Sequence, residues 1–180
     1  IAVHLPIAGM SFIPVLLGWP LLMMPVHILF LELIIDPACS TVFEAEPEED
    51  DVMLRPPRNP KDSLFDIQMF CLSALQGLSA LLIVLAAYWV SFKFCGKAQG
   101  ASPEARAIGF TTMIFTNLAL ILTNRSWNRT IIGTMRIPNA AQWWVIAGAL
   151  GLLAVVLNSS FLRNMFKFGK LHFEDILICI

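Results

Sequence analysis

Two carboxylates stand inside an apolar stretch of this chain: Glu32 and Asp36, four residues apart in Leu31-Glu32-Leu33-Ile34-Ile35-Asp36-Pro37-Ala38. On a helix that spacing puts both acids on one face. A charged side chain at mid-membrane costs roughly 2.5–3.5 kcal/mol on insertion scales, so two in one span need protons, cations or partners to offset them. The proline that follows disfavours the α conformation at Asp36 and removes a backbone donor, so the segment is expected to be broken or unwound there. Carbonyls of Ile34 and Ile35 would then turn inward and complete a cage of oxygen ligands suited to a hard cation. The plainer alternative is a protonated or hydrogen-bonded pair that only fixes helix packing.

Other polar residues raise the same question with less to support it. His4 and Pro6 interrupt the first apolar stretch and could mark a kink beside the carboxylates, although a lone histidine is commonly a satisfied packing residue. Thr116 and Asn117 in a later span could line or ligate, but hydrogen bonds between helices account for such residues equally well. The acidic run Glu44 to Asp51 reads as a solvated face at a membrane surface. Cys39, Cys71, Cys95 and Cys179 lack the spacing of a zinc or redox motif and read as small buried hydrophobes. No G-x-x-x-x-G-K-[ST] loop, no dinucleotide fingerprint and no supported Ser/His/Asp arrangement is present, so the chain alone is expected to bind no nucleotide and to need no cofactor.

The elements that must hold these residues follow from composition. The chain is 57% hydrophobic and 14% charged, with mean hydropathy +0.73, where a soluble domain carries about 45–50% apolar and about 25% charged residues. Its solvent is lipid. Inside a bilayer the backbone must satisfy itself, and the apolar blocks approach the ~20 residues of a spanning helix, so the class is an all-α polytopic membrane bundle. The net charge of -1, with 12 basic residues spread over every loop, gives no reason to expect nucleic acid as a partner.

Five spans are expected, with the start of a sixth. Ile1 to Leu17 reads as the later part of one, ending at Gly18-Trp19-Pro20, and Val26 to about Phe43 forms the second. Glu44 to Asp66, dense in charges and prolines, is a loop outside the bilayer. Ile67 to Phe92 follows, with Ser73 and Gly77 at a spacing that lets membrane helices approach closely. Lys93 to Arg106 is a loop, Ala107 to Thr123 a span, Asn124 to Asn139 a loop. Ala140 to about Phe161 is a span opened by Trp143 and Trp144, which suit the interface. Phe173 to Ile180 would begin a sixth. Successive loops carry three Lys/Arg each, so the positive-inside rule gives no orientation. No internal repeat supports an inverted-repeat transporter. The apolar start and end, with no initiator methionine, suggest a piece of something longer.

The same residues carry a family resemblance. Pro25-Val26-His27, then Leu31 through Ala38, then Asp51-Val52-Met53-Leu54-Arg55-Pro56-Pro57-Arg58-Asn59-Pro60 resemble the carboxy-terminal membrane region of the P-type cation-transporting ATPases, of the calcium-pump and sodium/potassium-pump type. The resemblance implies that residues 1–180 are the fifth to ninth helices with the start of the tenth. It also implies that the 44–66 loop is cytoplasmic, and that Asp36 falls on the family's central ion-binding aspartate. Glu32 falls where relatives carry Asn or Asp, and Asn117 in the eighth helix's ligand region. His4-Leu5-Pro6-Ile7 lies on an "Asn, x, Gly or Pro, Glu" motif, so Ile7 replaces a glutamate and His4 an asparagine, and Ile35 stands where a threonine ligand is common. By resemblance the parent would be an ATP- and magnesium-dependent pump in a bacterial plasma membrane. Its phosphorylated aspartate and nucleotide domain would lie upstream, and its other helices and cytoplasmic domains would be this segment's partners. A divalent cation, calcium first, is the expected cargo. The alternative is a self-contained secondary transporter or channel subunit.

Overall fold

The computed structural model describes residues 1–48, 52–54, 56, 66–95, 103–125 and 139–171. Among them the chain is helical without strands. The helices are α1 (His4–Leu16), α2 (Pro25–Glu44), α3 (Ile67–Cys95), α4 (Pro103–Thr123), α5 (Ala140–Asn158) and the short α6 (Ser160–Met165). Four of them, α2 to α5, are long and apolar enough to cross a membrane, and α1 is apolar but shorter. Phe173 to Ile180, expected to open a sixth span, lies outside the described residues, as does most of the 124–139 loop.

Local chemistry sets the helix ends. Gly18, at φ 67°, follows α1 in the left-handed conformation that glycine adopts without steric cost. Its N–H donates to Val15 O at 3.1 Å, and that of Trp19 donates to Pro14 O at 2.8 Å, closing the last carbonyls of the helix. Pro25 starts α2, where its missing N–H is no loss. Asn139 caps α5 by accepting from Gln142 N at 3.1 Å. Ser159, in extended conformation, separates α5 from α6, so the expected span to Phe161 ends as a helix at Asn158.

Helix α4 is the centre. About 78% of its apolar window is buried, against 22–28% for α2, α3 and α5, whose outward faces carry Leu29, Leu33, Leu75, Leu82 and Trp144 as lipid-facing side chains. Two close approaches join the layers. A Cβ on Gly109 of α4 would stand 2.9 Å from Leu22, and one on Gly77 of α3 would stand 2.9 Å from both Ala2 O and Leu5 Cβ. The expectation that small residues of α3 admit a neighbouring helix is met at Gly77, and the neighbour is α1.

Polar contacts sort the connections between the two ends of the bundle. At one end Glu46, just past α2, meets Arg125 after α4 and Asn139 before α5. At the other, Arg106 near the start of α4 donates to Leu21 O and to Lys167 O. His27 Nε2 lies 3.0 Å from Phe166 O there, and Tyr88 Oη donates to Pro20 O at 2.8 Å. Alternate connections therefore share a side, a pairing that loop charge could not give.

Candidate functional site

Helices α1 and α2 bring together the three residues whose chemistry drew attention in the sequence. Glu32 and Asp36 occupy successive turns of α2, and His4, the first residue of α1, reaches across to both. Its Nε2 lies 3.3 Å from Glu32 Oε2 and 3.5 Å from Asp36 Oδ1. One donor atom from each of the three fits within 4.8 Å of the others, the one such His/Cys/Asp/Glu group among the described residues. Beside it is a cavity of about 290 Å³ lined by His4, Asp36, Cys39, Ser73, Leu120 and Asn124, among others. The triad is half-open: the side chains of His4, Glu32 and Asp36 are 51%, 35% and 58% exposed. Two carboxylates and an imidazole converging from two helices can hold a cation or share protons.

The backbone around the triad departs from expectation in one respect. Helix α2 is continuous from Pro25 to Glu44 with Pro37 inside it, so the predicted break at Asp36 is not present in this structure. The carbonyls of Ile34 and Ile35 thus belong to a helical backbone instead of an unwound one, and the Ile35 side chain is buried in the apolar core. Tertiary packing holds the helix together: Leu31, Ile35, Ala38 and Val42 form one buried stripe that runs through the proline. What Pro37 does remove is the donor that would have met Leu33 O, four residues earlier, so the carbonyl freed of its helical partner is that of Leu33.

Asn117 is fully buried on α4, and neither of its amide atoms has a hydrogen-bond partner. It is not among the residues lining the cavity beside the triad. Thr111 and Thr112, one and a half turns earlier, are also buried with unpartnered hydroxyls, while Thr116 donates to Thr112 O at 2.7 Å. An unmet buried amide costs about 1–3 kcal/mol, and nothing else among the described contacts accounts for it.

Sequence reasoning passed over two polar features. His27, read only as part of a motif, is fully buried, accepts at Nδ1 from Met24 N at 2.9 Å, and stacks on Phe168 with ring centroids 5.1 Å apart. With Nε2 facing Phe166 O it must carry its proton there, which fixes a neutral tautomer tying the start of α2 to the segment after α6. The Glu46–Arg125–Asn139–Gln142 network is the second. Glu46 lies 79 residues from Arg125 and 93 from Asn139, so no local spacing reveals the group.

Comparison with known proteins fits this arrangement. The family described as "Cation transporting ATPase, C-terminus" matches residues 20–180. The chain belongs to that family. It is the carboxy-terminal transmembrane region of a P-type cation ATPase by this match, and similar proteins agree. Calcium-transporting ATPase 1 of Bacillus cereus is 28% identical over 178 residues, which cover 91% of this chain and 20% of that protein. Human calcium-transporting ATPase type 2C member 2 is 27% identical over 153 residues, 84% of this chain and 16% of that protein. Human calcium-transporting ATPase type 2C member 1 is 21% identical over 165 residues, 92% and 18%. The chain thus spans about a fifth of the length of these relatives. In this family's chain the polar triad sits on the two helices that flank the Gly18-Trp19-Pro20 turn.

Proposed function

We propose that this chain forms the ion-binding and translocating part of an ATP-driven pump for a divalent cation, with Glu32 and Asp36 as the core of the site. The observation that carries the reading is the meeting of His4, Glu32 and Asp36 across two apolar helices. Calcium is the first ion to test, because two carboxylates with backbone oxygens suit a hard dication and because the relatives are named as calcium-transporting. In this reading the 44–66 loop faces the cytoplasm, residues 1–180 are the fifth to tenth helices, and ATP and magnesium act on parts of the pump outside this chain. The chain by itself hydrolyses no ATP, and its partners are the bilayer and the rest of the same pump. A bacterial plasma membrane is the proposed location.

The transport role follows from charge. Anionic ligands in an apolar bundle hold a dication when it is present and are costly when it leaves, so a change in helix positions that weakens the ligand set also drives release. Pro37 supplies the weak point: the turn it interrupts can open with one fewer hydrogen bond to break, and the carbonyls of Ile34 and Ile35 join the ligand set in such a state. Asn117, buried with its amide free, is the proposed contribution of α4.

The test is phosphorylation from ATP by the full-length protein that carries this chain, across calcium, manganese, magnesium, sodium and potassium. Ion-dependent phosphoenzyme is expected with a divalent ion. Transport of an ion with no phosphoenzyme and no ATP hydrolysis would overturn the pump reading in favour of a secondary transporter or channel.

A further inference from the structure

We infer that His4 is itself a ligand of the transported ion, and that this nitrogen tunes the site toward a divalent d-block metal, manganese(II) being the probe, ahead of calcium. The inference rests on the ion site proposed at Glu32 and Asp36 and goes beyond it by assigning the cargo's class.

The first support is position. His4 Nε2 lies between the two carboxylates, at 3.3 Å from Glu32 Oε2 and 3.5 Å from Asp36 Oδ1. Adjacent vertices of a tetrahedron or octahedron with metal bonds of about 2.1 Å are separated by roughly 3.0–3.4 Å, and the two nitrogen-to-oxygen distances stand close to that spacing, with all three donors within 4.8 Å of one another.

Donor type is the second support. Calcium takes oxygen ligands, whereas imidazole is a ligand for d-block dications, and a mixed set of carboxylate and imidazole accepts manganese(II) and its heavier neighbours. No other described histidine is available. His27 has both ring nitrogens engaged, by Met24 N and Phe166 O, inside a cluster of phenylalanines.

The helix frame is the third. His4 is held on α1 where Ala2 and Leu5 pack against Gly77 of α3 at distances that leave no room for a Cβ. An exposed histidine on a loose segment could swing away from its acids, but this one sits between two residues pinned by a neighbouring helix.

A competing role for His4 is a protonated counter-ion that neutralises the acids and leaves when the ion arrives. The two roles differ in whether nitrogen touches the metal. The experiment uses the full-length protein in detergent without ATP, loaded with Mn²⁺ alone or Ca²⁺ alone. Bound ion is measured by equilibrium dialysis and the manganese coordination by pulsed electron paramagnetic resonance. The expected result is ¹⁴N modulation on bound Mn²⁺ that disappears in His4→Asn, with the variant's preference for Mn²⁺ over Ca²⁺ falling by roughly tenfold. His4→Gln serves as the second variant, and the wild-type modulation needs none. Mn²⁺ bound without histidine modulation, or an unchanged Mn²⁺/Ca²⁺ preference in both variants, overturns the inference and leaves the carboxylate site standing. Failure of both ions to bind, or wild-type binding in Asp36→Asn, overturns the underlying site as well.

Discussion

Arg125 grips Glu46 with two donors, Nε at 2.7 Å from Oε2 and Nη2 at 3.0 Å from Oε1, and its side chain is only 1% exposed. Asn139 Nδ2 reaches the same carboxylate at 2.9 Å, and Gln142 accepts from Arg125 Nη1. The group ties the end of α2 to the connection between α4 and α5. Removing one partner of a buried pair takes the counter-charge from the other, and breaking such a pair costs up to about 3–5 kcal/mol. Glu46→Ala should therefore lower the thermal transition of the detergent-solubilised protein markedly. The double variant Glu46→Leu with Arg125→Met should recover much of that loss. A Glu46→Ala transition equal to wild type would show that the pair contributes nothing to holding that end together.

The reach of sequence reasoning here has a physical boundary. The spans were legible because a bilayer imposes a length and an apolar composition on each helix, and the Glu32/Asp36 pair because charge is conspicuous in that setting. His4 could be proposed as a neighbour from the His4 and Pro6 interruption of the first span and from the family motif it falls on, and the distances that join it to the acids come from the fold. The kink at Pro37 was the local expectation, and it lost to the buried stripe of Leu31, Ile35, Ala38 and Val42, which packs as one continuous helix. The Glu46–Arg125 contact was invisible because it joins loops 79 residues apart, where no periodicity operates.

Gly77 gives a prediction about the site through packing alone. A methyl at this position would stand 2.9 Å from Ala2 O and from Leu5 Cβ, on either side of His4 in sequence, so α1 must shift to admit it. Gly77→Ala should cost about 1–3 kcal/mol of stability and weaken ion binding although Gly77 touches no ion. Gly148→Ala, where the added methyl meets nothing within 4 Å, is the control and should neither lower stability nor weaken ion binding. Equal behaviour of the two variants in thermal unfolding and ion binding would separate the α1–α3 approach from the site.

The sidedness of the bundle is testable without reference to function. Glu48 lies just past Glu46, at the end where Arg125 and Asn139 meet, whereas Lys170 follows Lys167, whose carbonyl accepts from Arg106 at the other end. Both side chains are exposed. In a background lacking Cys39, Cys71, Cys95 and Cys179, Glu48→Cys and Lys170→Cys should react with an impermeant thiol reagent from opposite faces of the membrane, Glu48→Cys from the cytoplasmic one. Labelling of both from one face would contradict the alternation of connections, and labelling of Glu48→Cys from outside would invert the proposed orientation.

The carboxylates make the strongest demand on the proposal. Asp36 and Glu32 lie on one face of α2, each within 3.5 Å of His4 Nε2, and neither forms part of the buried apolar stripe that holds the helix in place. A neutral isostere should therefore leave insertion and folding intact while removing a charge the ion needs. Asp36→Asn is expected to weaken ion-dependent phosphorylation of the full-length protein on the order of a hundredfold in ion concentration, ~2.8 kcal/mol. Glu32→Gln should weaken it by a smaller factor, because Asp36 also lines the cavity and Glu32 does not. If the pair served only packing, the substitutions would instead show in unfolding temperature and leave the ion dependence where it was. Measuring phosphoenzyme against free ion concentration alongside thermal unfolding for the same preparations distinguishes the two, and an Asp36→Asn protein with wild-type ion dependence would return Glu32 and Asp36 to a structural role.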